Sequence, residues 1–310
     1  MHASMDRLAR LIKNPLLIIR ILGYHGYLNF IPDKAYLKLI YRISLHKPLN
    51  LHNPKSFSEK IQWLKLYDHN MLYPLFVDKY AVKQYVADKI GAEHIIPTLG
   101  VWNTFDGIDF ETLPQRFILK CTHDSASFIL CHDKKTLNLP ALKRKLEKHL
   151  KQDYAKLSRE WPYAKVKHRI IAEPMLTDST GELPQDWKLL CFNGKVKVVY
   201  TVSHRETDPR NDYFDENFNH LPFENIHPKS ADSELPQRPA ALCEMIQIAE
   251  ILSQGIAQVR VDLYYVNHTV YFGELTLYHA AGFSVFKPEE WDRKLGEWLD
   301  ISKTEIPSPQ

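Results

Sequence analysis

The sequence predicts an α+β fold, in which a helical start leads into mixed helices and antiparallel strands. Three observations carry that prediction. An Asn193-Gly194 pair lies between two β-rich runs, a strong short-range hairpin signal. A second strand pair is written into QVRVDLYYVNHTVYFGELTLYHAAGF, residues 258–283, around an Asn-His turn. Neither a Gly-x-Gly-x-x-Gly fingerprint nor a Walker P-loop is present, so any nucleotide site must be of a kind other than the doubly wound one.

Composition sets the outer bounds. The 310 residues suffice for one large domain or two ordinary ones. At 45% hydrophobic and 25% charged, the chain has the balance of a soluble globular protein. A net charge of +3 gives no general affinity for nucleic acid, but the charge is uneven. Residues 1–50 hold eight Lys/Arg against two Asp, and the remainder is slightly acidic. Four cysteines, at 121, 131, 191 and 243, lack any Cys-x-x-Cys spacing. They argue against a zinc site or disulfide framework and fit a reducing cytoplasm.

Taken in order, the elements begin with DRLARLIKNPLLIIRILG, a basic amphipathic pattern interrupted by Pro15. Its uncharged run is too short to span a membrane. Such a helix either docks on its own domain or lies on an anionic membrane surface, here the inner face of the plasma membrane. Residues 53–69 read as a helix capped by Ser56 or Ser58, with Ile61, Leu64 and Leu66 turned inward. A second helix is expected over 78–90. Strands follow at 101–102 and 117–120, then a charged helical stretch over 137–158. Further strands are expected at 169–173, 186–192 and 195–202. Residues 203–238 are polar and proline-bearing without periodicity, the mark of a surface loop. A helix over 240–252 leads into the second strand pair, and the tail beyond Asp300 should fray.

That strand pair carries the clearest chemistry. Val259, Val261 and Leu263 alternate with Arg260, Asp262 and Tyr264; Gly273, Leu275 and Leu277 alternate with Phe272, Glu274 and Thr276. The apolar faces coincide only if Val261 lies opposite Leu275 and Leu263 opposite Gly273. Asp262 then faces Glu274 directly, which needs an odd-length turn or a bulge. Two like charges side by side gain nothing structurally. A divalent cation between them removes the repulsion, and hard oxygen ligands suit Mg²⁺ carried on a nucleotide phosphate.

Other residues are weaker alone. Lys120 ends the strand FILK before the loop CTHDSASF, where a lysine and backbone N–H groups can meet a phosphate; the alternative is a solvated strand end. His123 and Asp124 fit acid–base chemistry or a simple turn. Glu173 closes RIIAE, as a hydroxyl acceptor or an edge charge. Asp186 and Lys188 share one strand face, as an ion pair or with the lysine facing the same cleft as Lys120. Arg205 and Arg210 fall in the irregular stretch, where a binding loop is plausible. Asp212 and Asp215 form no Asp-x-Asp, which counts against a metal-dependent sugar-nucleotide transferase.

Together these residues fall into an order. Asp78-Lys79-Tyr80-Ala81-Val82, Phe117–Cys121, Arg159–Tyr163, Arg169–Glu173, Asp186-Trp187-Lys188, Val259–Tyr264 and Phe272–Thr276 follow one another as in the TupA-like branch of the ATP-grasp superfamily, which the chain resembles from about Asn53 to Trp298. Members of this branch are associated with teichuronopeptide, capsule and other cell-surface polysaccharide biosynthesis. The resemblance implies an ATP-grasp fold over residues 53–300, two α+β subdomains with antiparallel sheets enclosing a nucleotide cleft. A helical, basic region, 1–52, precedes it and a flexible tail, 301–310, follows.

The resemblance also implies roles. Lys120 and Lys79 would contact ATP, with His123, Ser125 and Ser127 in a loop over the phosphates and Glu173 at the hinge. Asp262 and Glu274 would hold Mg²⁺, and Lys188 and Arg260 would assist the chemistry. The implied reaction joins a carboxylate-bearing sugar or glycan precursor to an amine or amino acid through an acyl phosphate. Asp124-Ser125-Ala126-Ser127 departs from the usual glycine-rich loop, and an acid there should oppose phosphate approach. Thr276 and the His279–Gly282 turn depart as well. A nucleotide-sugar glycosyltransferase and a non-catalytic ATP-grasp binding protein are the alternatives.

Overall fold

The computed structural model describes residues 16–125, 127–204, 207–302 and 304. Residues 6–15 of the expected amphipathic helix, Arg205 and most of the expected tail lie outside the described residues.

Strands β1 (Gly100–Trp102), β2 (Phe117–Cys121), β3 (Ile129–Cys131) and β4 (Ile170–Pro174) form a four-stranded antiparallel sheet in the order β1-β4-β2-β3. Strands β5 (Asp186–Phe192), β6 (Lys195–Ser203), β7 (Arg210–Phe214), β9 (Gln258–Val266) and β10 (Thr269–Thr276) form a five-stranded one in the order β10-β9-β5-β6-β7. A short strand between β7 and β9, β8 (Glu224–Asn225), pairs with β11 (Phe286–Lys287), which follows β10. The helices are α1 (Leu16–Tyr24), α2 (Asp33–Leu45), α3 (Phe57–Tyr67), α4 (Tyr73–Val77), α5 (Val82–Ile90), α6 (Leu139–Leu150), α7 (Tyr154–Ser158), α8 (Leu242–Leu252) and α9 (Glu290–Trp298).

Alternation decides which face of each sheet is buried. On β2, Phe117, Leu119 and Cys121 are wholly buried in a cluster with Leu142 and Leu146 of α6, while Ile118 and Lys120 point the other way. On the larger sheet, Leu189, Val198, Val261 and Leu263 pack in one cluster with Leu242, Met245 and Ala249 of α8 and Phe57 and Ile61 of α3. Each such fully buried side chain contributes about 1.5–3 kcal/mol. The faces left over are the polar ones, and they build the cleft.

Several expected elements are corrected. The 78–90 helix starts only at Val82, because Asp78 Oδ1 accepts from the N–H groups of Tyr80 and Ala81 and holds a turn before it. The 137–158 stretch breaks into α6 and α7, the second capped by Asp153. The irregular stretch 203–238 contains β7, whose polar residues are internal: Asn211 bonds the Asn225 carbonyl, and Asp212 accepts from Ser230 N and Oγ. Arg210 pairs with Asp208 at the edge of that strand and stands outside the cleft. Helix α3 begins as read, with Ser56 and Glu59 forming a capping box. In α1, Ile19 packs with Leu37 and Tyr41 of α2. Among the described residues no helix is long and apolar enough to cross a membrane.

Candidate functional site

A cleft of about 370 Å³ opens between the two sheets. The four-stranded sheet supplies Ile118, Lys120, Leu130 and Glu173; the five-stranded sheet supplies Asp186, Lys188, Arg260, Asp262, Tyr264 and Glu274. Lys79 enters from the turn before α5, and Ser125 and Ser127 from the loop after β2.

The larger wall is set by strand register. Lys188 on β5 lies opposite Asp262 on β9, and Asp262 lies opposite Glu274 on β10, so the three form a row across adjacent strands. The expected bulge is present, with one detail corrected. Asn267 and His268 make a two-residue turn at positive φ, 49° and 66°, which places Phe272 opposite Leu263. Phe272 is therefore a core residue, and Gly273 is the extra residue that resets the register so that Glu274 meets Asp262. Glycine suits the close approach there: a Cβ would lie 2.9 Å from Tyr264 Cε2 and 3.0 Å from the Asp262 carbonyl oxygen, so a side chain would have to displace one of them.

The row is tied by ion pairs. Lys188 Nζ reaches Asp186 Oδ2 at 2.7 Å and Asp262 Oδ2 at 2.6 Å. Arg260 grips Asp262 with Nε at 2.5 Å and Nη2 at 2.7 Å, and its Nη2 also reaches Glu274 Oε1 at 2.9 Å. Thr276 Oγ1 donates to the same Glu274 oxygen at 2.9 Å. Three carboxylates thus face two cations of the sheet itself, and a third, Lys79 Nζ, approaches Glu274 at 4.0 Å from outside the sheet. Burial, aided by the neighbouring Asp186 and Glu274, pushes the Asp262 carboxyl up against the pull of Arg260 and Lys188. Burial also opposes ionisation of Glu274, but Lys79, Arg260 and Lys188 outweigh it and hold that carboxyl low. Asp262 and Glu274 fit a hard divalent cation, whose remaining ligands would be phosphate oxygens and water. Among the described residues no set of three or more His, Cys, Asp or Glu forms a cage without such help.

The smaller wall has the opposite balance. Glu173 Oε1 is 2.6 Å from Lys83 Nζ and its Oε2 is 2.6 Å from Lys120 Nζ. Burial opposes the Glu173 charge, but the two ammonium groups hold the carboxyl below its usual range. Lys83 carries no signal in the sequence, because an isolated helix lysine normally points to solvent and its partner Glu173 lies far along the chain.

The loop after β2 is fastened from within. Cys121 N donates to Ser127 Oγ at 2.7 Å, Ser127 Oγ donates to Asp124 Oδ1 at 2.5 Å, and His149 Nδ1 of α6 meets Asp124 Oδ2 at 2.6 Å. The Asp124 carbonyl accepts from Lys79 Nζ. The Asp124 carboxylate is therefore bonded within the loop and to α6, and the residue still lines the cleft. His123 is not brought to the cleft. It is fully buried, stacked flat on His168 with ring centroids 3.6 Å apart, and its Nε2 bonds the His149 carbonyl at 3.1 Å. Burial and His168 push its imidazole down to about 4. Ser125 lines the cleft and shares a 2.6 Å hydrogen bond with Tyr154.

A family model, TupA-like ATPgrasp, matches residues 59–300. Among solved structures, the chain is 15% identical to D-alanine–D-alanine ligase from Bacillus anthracis, covering 69% of this chain and 62% of that one, TM-score 0.40. It is 13% identical to the same ligase from Helicobacter pylori, covering 82% and 68%, TM-score 0.44. It is 12% identical to the ATP-grasp ligase PsnB complexed with a minimal precursor, covering 91% and 78%, TM-score 0.41. The chain thus spans less than two thirds of the Bacillus anthracis enzyme's length. No curated protein matches the sequence.

Proposed function

The chain belongs to the TupA-like ATP-grasp family, with the ATP-grasp fold, and on that footing we propose that it is an ATP- and Mg²⁺-dependent carboxylate–amine ligase. The observation that carries the reading is the opposed charge of the two cleft walls. A cation-rich cluster on one side suits polyphosphate; an acid-rich row on the other suits the metal that accompanies it. Mg²⁺, held by Asp262 and Glu274, would neutralise the transferring phosphoryl group.

The chain's own residues do the rest. Lys120 and Lys79 bind phosphate oxygens, with Ser125 and Ser127 presenting the loop above them. Glu173 accepts from a hydroxyl or amino group of the nucleoside. A substrate carboxylate oxygen forms a bond to the γ-phosphorus as the bond from that phosphorus to ADP breaks. The amine nitrogen then attacks the acyl carbon, loses a proton to solvent, and inorganic phosphate leaves. Arg260 and Lys188 stabilise the negative charge that builds on the acyl phosphate. We assign the substrates to a carboxylate-bearing sugar or glycan precursor and an amine or amino acid, in cell-surface polysaccharide assembly; the family resemblance supports that assignment.

The test mixes the protein with ATP, Mg²⁺ and panels of uronates and amines, and follows ADP. Release that depends on both organic substrates is the expected result. Release no greater than that of an Asp262→Asn control sinks the reading.

A further inference from the structure

We propose that Lys83, which stands outside the cleft, is a positioning residue that leaves Lys120 free to bind the phosphates of a nucleotide. The proposal rests on the nucleotide-binding reading above and adds a residue to it.

Lys83 Nζ has three donors and three partners: Glu173 Oε1 at 2.6 Å, the Ile96 carbonyl at 2.8 Å and Thr98 Oγ1 at 2.9 Å. It is saturated. Among the described residues Lys120 Nζ has one ion-pair partner, Glu173 Oε2 at 2.6 Å, and its side chain lines the cleft. Its other donors therefore face the space a ligand would enter.

Charge gives the second step. A lone lysine–glutamate pair is neutral and offers a polyanion little attraction. With a second lysine on the far oxygen of the same carboxylate, the triad carries one positive charge, and Lys120 is the member open to the cleft. The side chains of Glu173 and Lys83 are only 4% and 13% exposed, so solvent screens the arrangement weakly. Burial draws the Lys83 amine down, so holding a second lysine beside Glu173 has a cost. The bonds to Ile96 and Thr98 also tie α5 to the segment before β1, and that purely structural use is the rival account.

The two accounts diverge in binding measurements on the full chain, because a phosphate-directed charge distinguishes ATP from adenosine. Calorimetry with both ligands expects Lys83→Met to weaken ATP roughly tenfold and adenosine by less than about twofold. Lys83→Arg should restore much of the ATP affinity. The double variant Lys83→Met/Glu173→Gln should return the ATP-to-adenosine affinity ratio towards wild type, since Lys120 is then uncompensated again. A Lys83→Met protein with an unchanged ratio overturns the proposal, as does equal loss of both ligands. Should Lys83→Met fail to fold, Glu173→Gln alone carries the test: with both lysines kept and the counter-charge gone the ratio rises, and an unchanged ratio overturns the proposal. A wild-type chain that binds no ATP overturns the ligase reading itself, and this one with it.

Discussion

The two walls of the cleft use the same residue types to opposite ends. On the smaller sheet one carboxylate is shared by two lysines, and the acid sits comfortably charged. On the larger sheet three carboxylates share two cations, and the central acid, Asp262, is pushed towards its neutral form by burial and its acidic neighbours. The first arrangement satisfies its one carboxylate and keeps a positive charge over. The second keeps three buried acids side by side, with their third counter-charge, Lys79, reaching in from outside the sheet, and perturbed acids of this kind cluster at functional sites. Stability and function should therefore separate at Asp262 and coincide at Glu173.

The largest effect follows at Asp262. Asp262→Asn removes a carboxylate from the acid-rich row while keeping its shape. ADP release should fall by about a hundredfold or more, whereas the thermal midpoint should hold or rise, because one like-charge repulsion has gone. A midpoint that drops sharply would mean that Asp262 serves the fold chiefly as the partner of Arg260 and Lys188, and the contrast between the walls would collapse.

The bulge offers a subtler break. In Gly273→Ala the new methyl must displace Tyr264 or the β9 backbone, at roughly 1–3 kcal/mol of stability. The larger loss lies in alignment. If the extra residue is squeezed, Glu274 no longer faces Asp262, and turnover should fall about tenfold or more. ATP binding measured without metal should change little, since the smaller wall is untouched. Equal loss of metal-free binding would show that the two walls are not separable.

Legibility in the sequence followed the range of the forces involved. The Asp262–Glu274 pairing could be read because buried Val261 and Leu275 fix the register. The need for a bulge could be read too. Its place could not, because Phe272 and Gly273 each suit an apolar face and only the two-residue turn chooses between them. Strand β7 was hidden since Asn211 and Asp212 look like loop residues until Asn225 and Ser230 arrive to bond them. The resemblance groups His123 with Ser125 and Ser127, yet its stacking partner His168 lies far along the chain. The partner of the Asp124 carboxylate, His149, could not be read because it belongs to a helix that follows only later. Local pattern reached the strands; long-range partners decided the charges.

The smallest expected effect, and the most direct reading of the contrast, is a pH dependence of stability. The folded-state carboxyl of Glu173 is held below its ordinary value of 4.5. Its contribution to stability is therefore complete above that value and is lost as pH falls through the lower folded one. Glu173→Gln should melt a few degrees below wild type near neutrality, and the gap should close as pH drops below 4.5. Asp262 has the reverse sign. Its folded carboxyl is raised above 3.8, so its contribution is present below that value and is lost as pH rises through the folded one. The difference between wild type and Asp262→Asn should accordingly shift in favour of the variant as pH rises from the acid range. Melting curves of the two variants against wild type across pH 3–8 decide the matter, and parallel trends would erase the distinction between the walls.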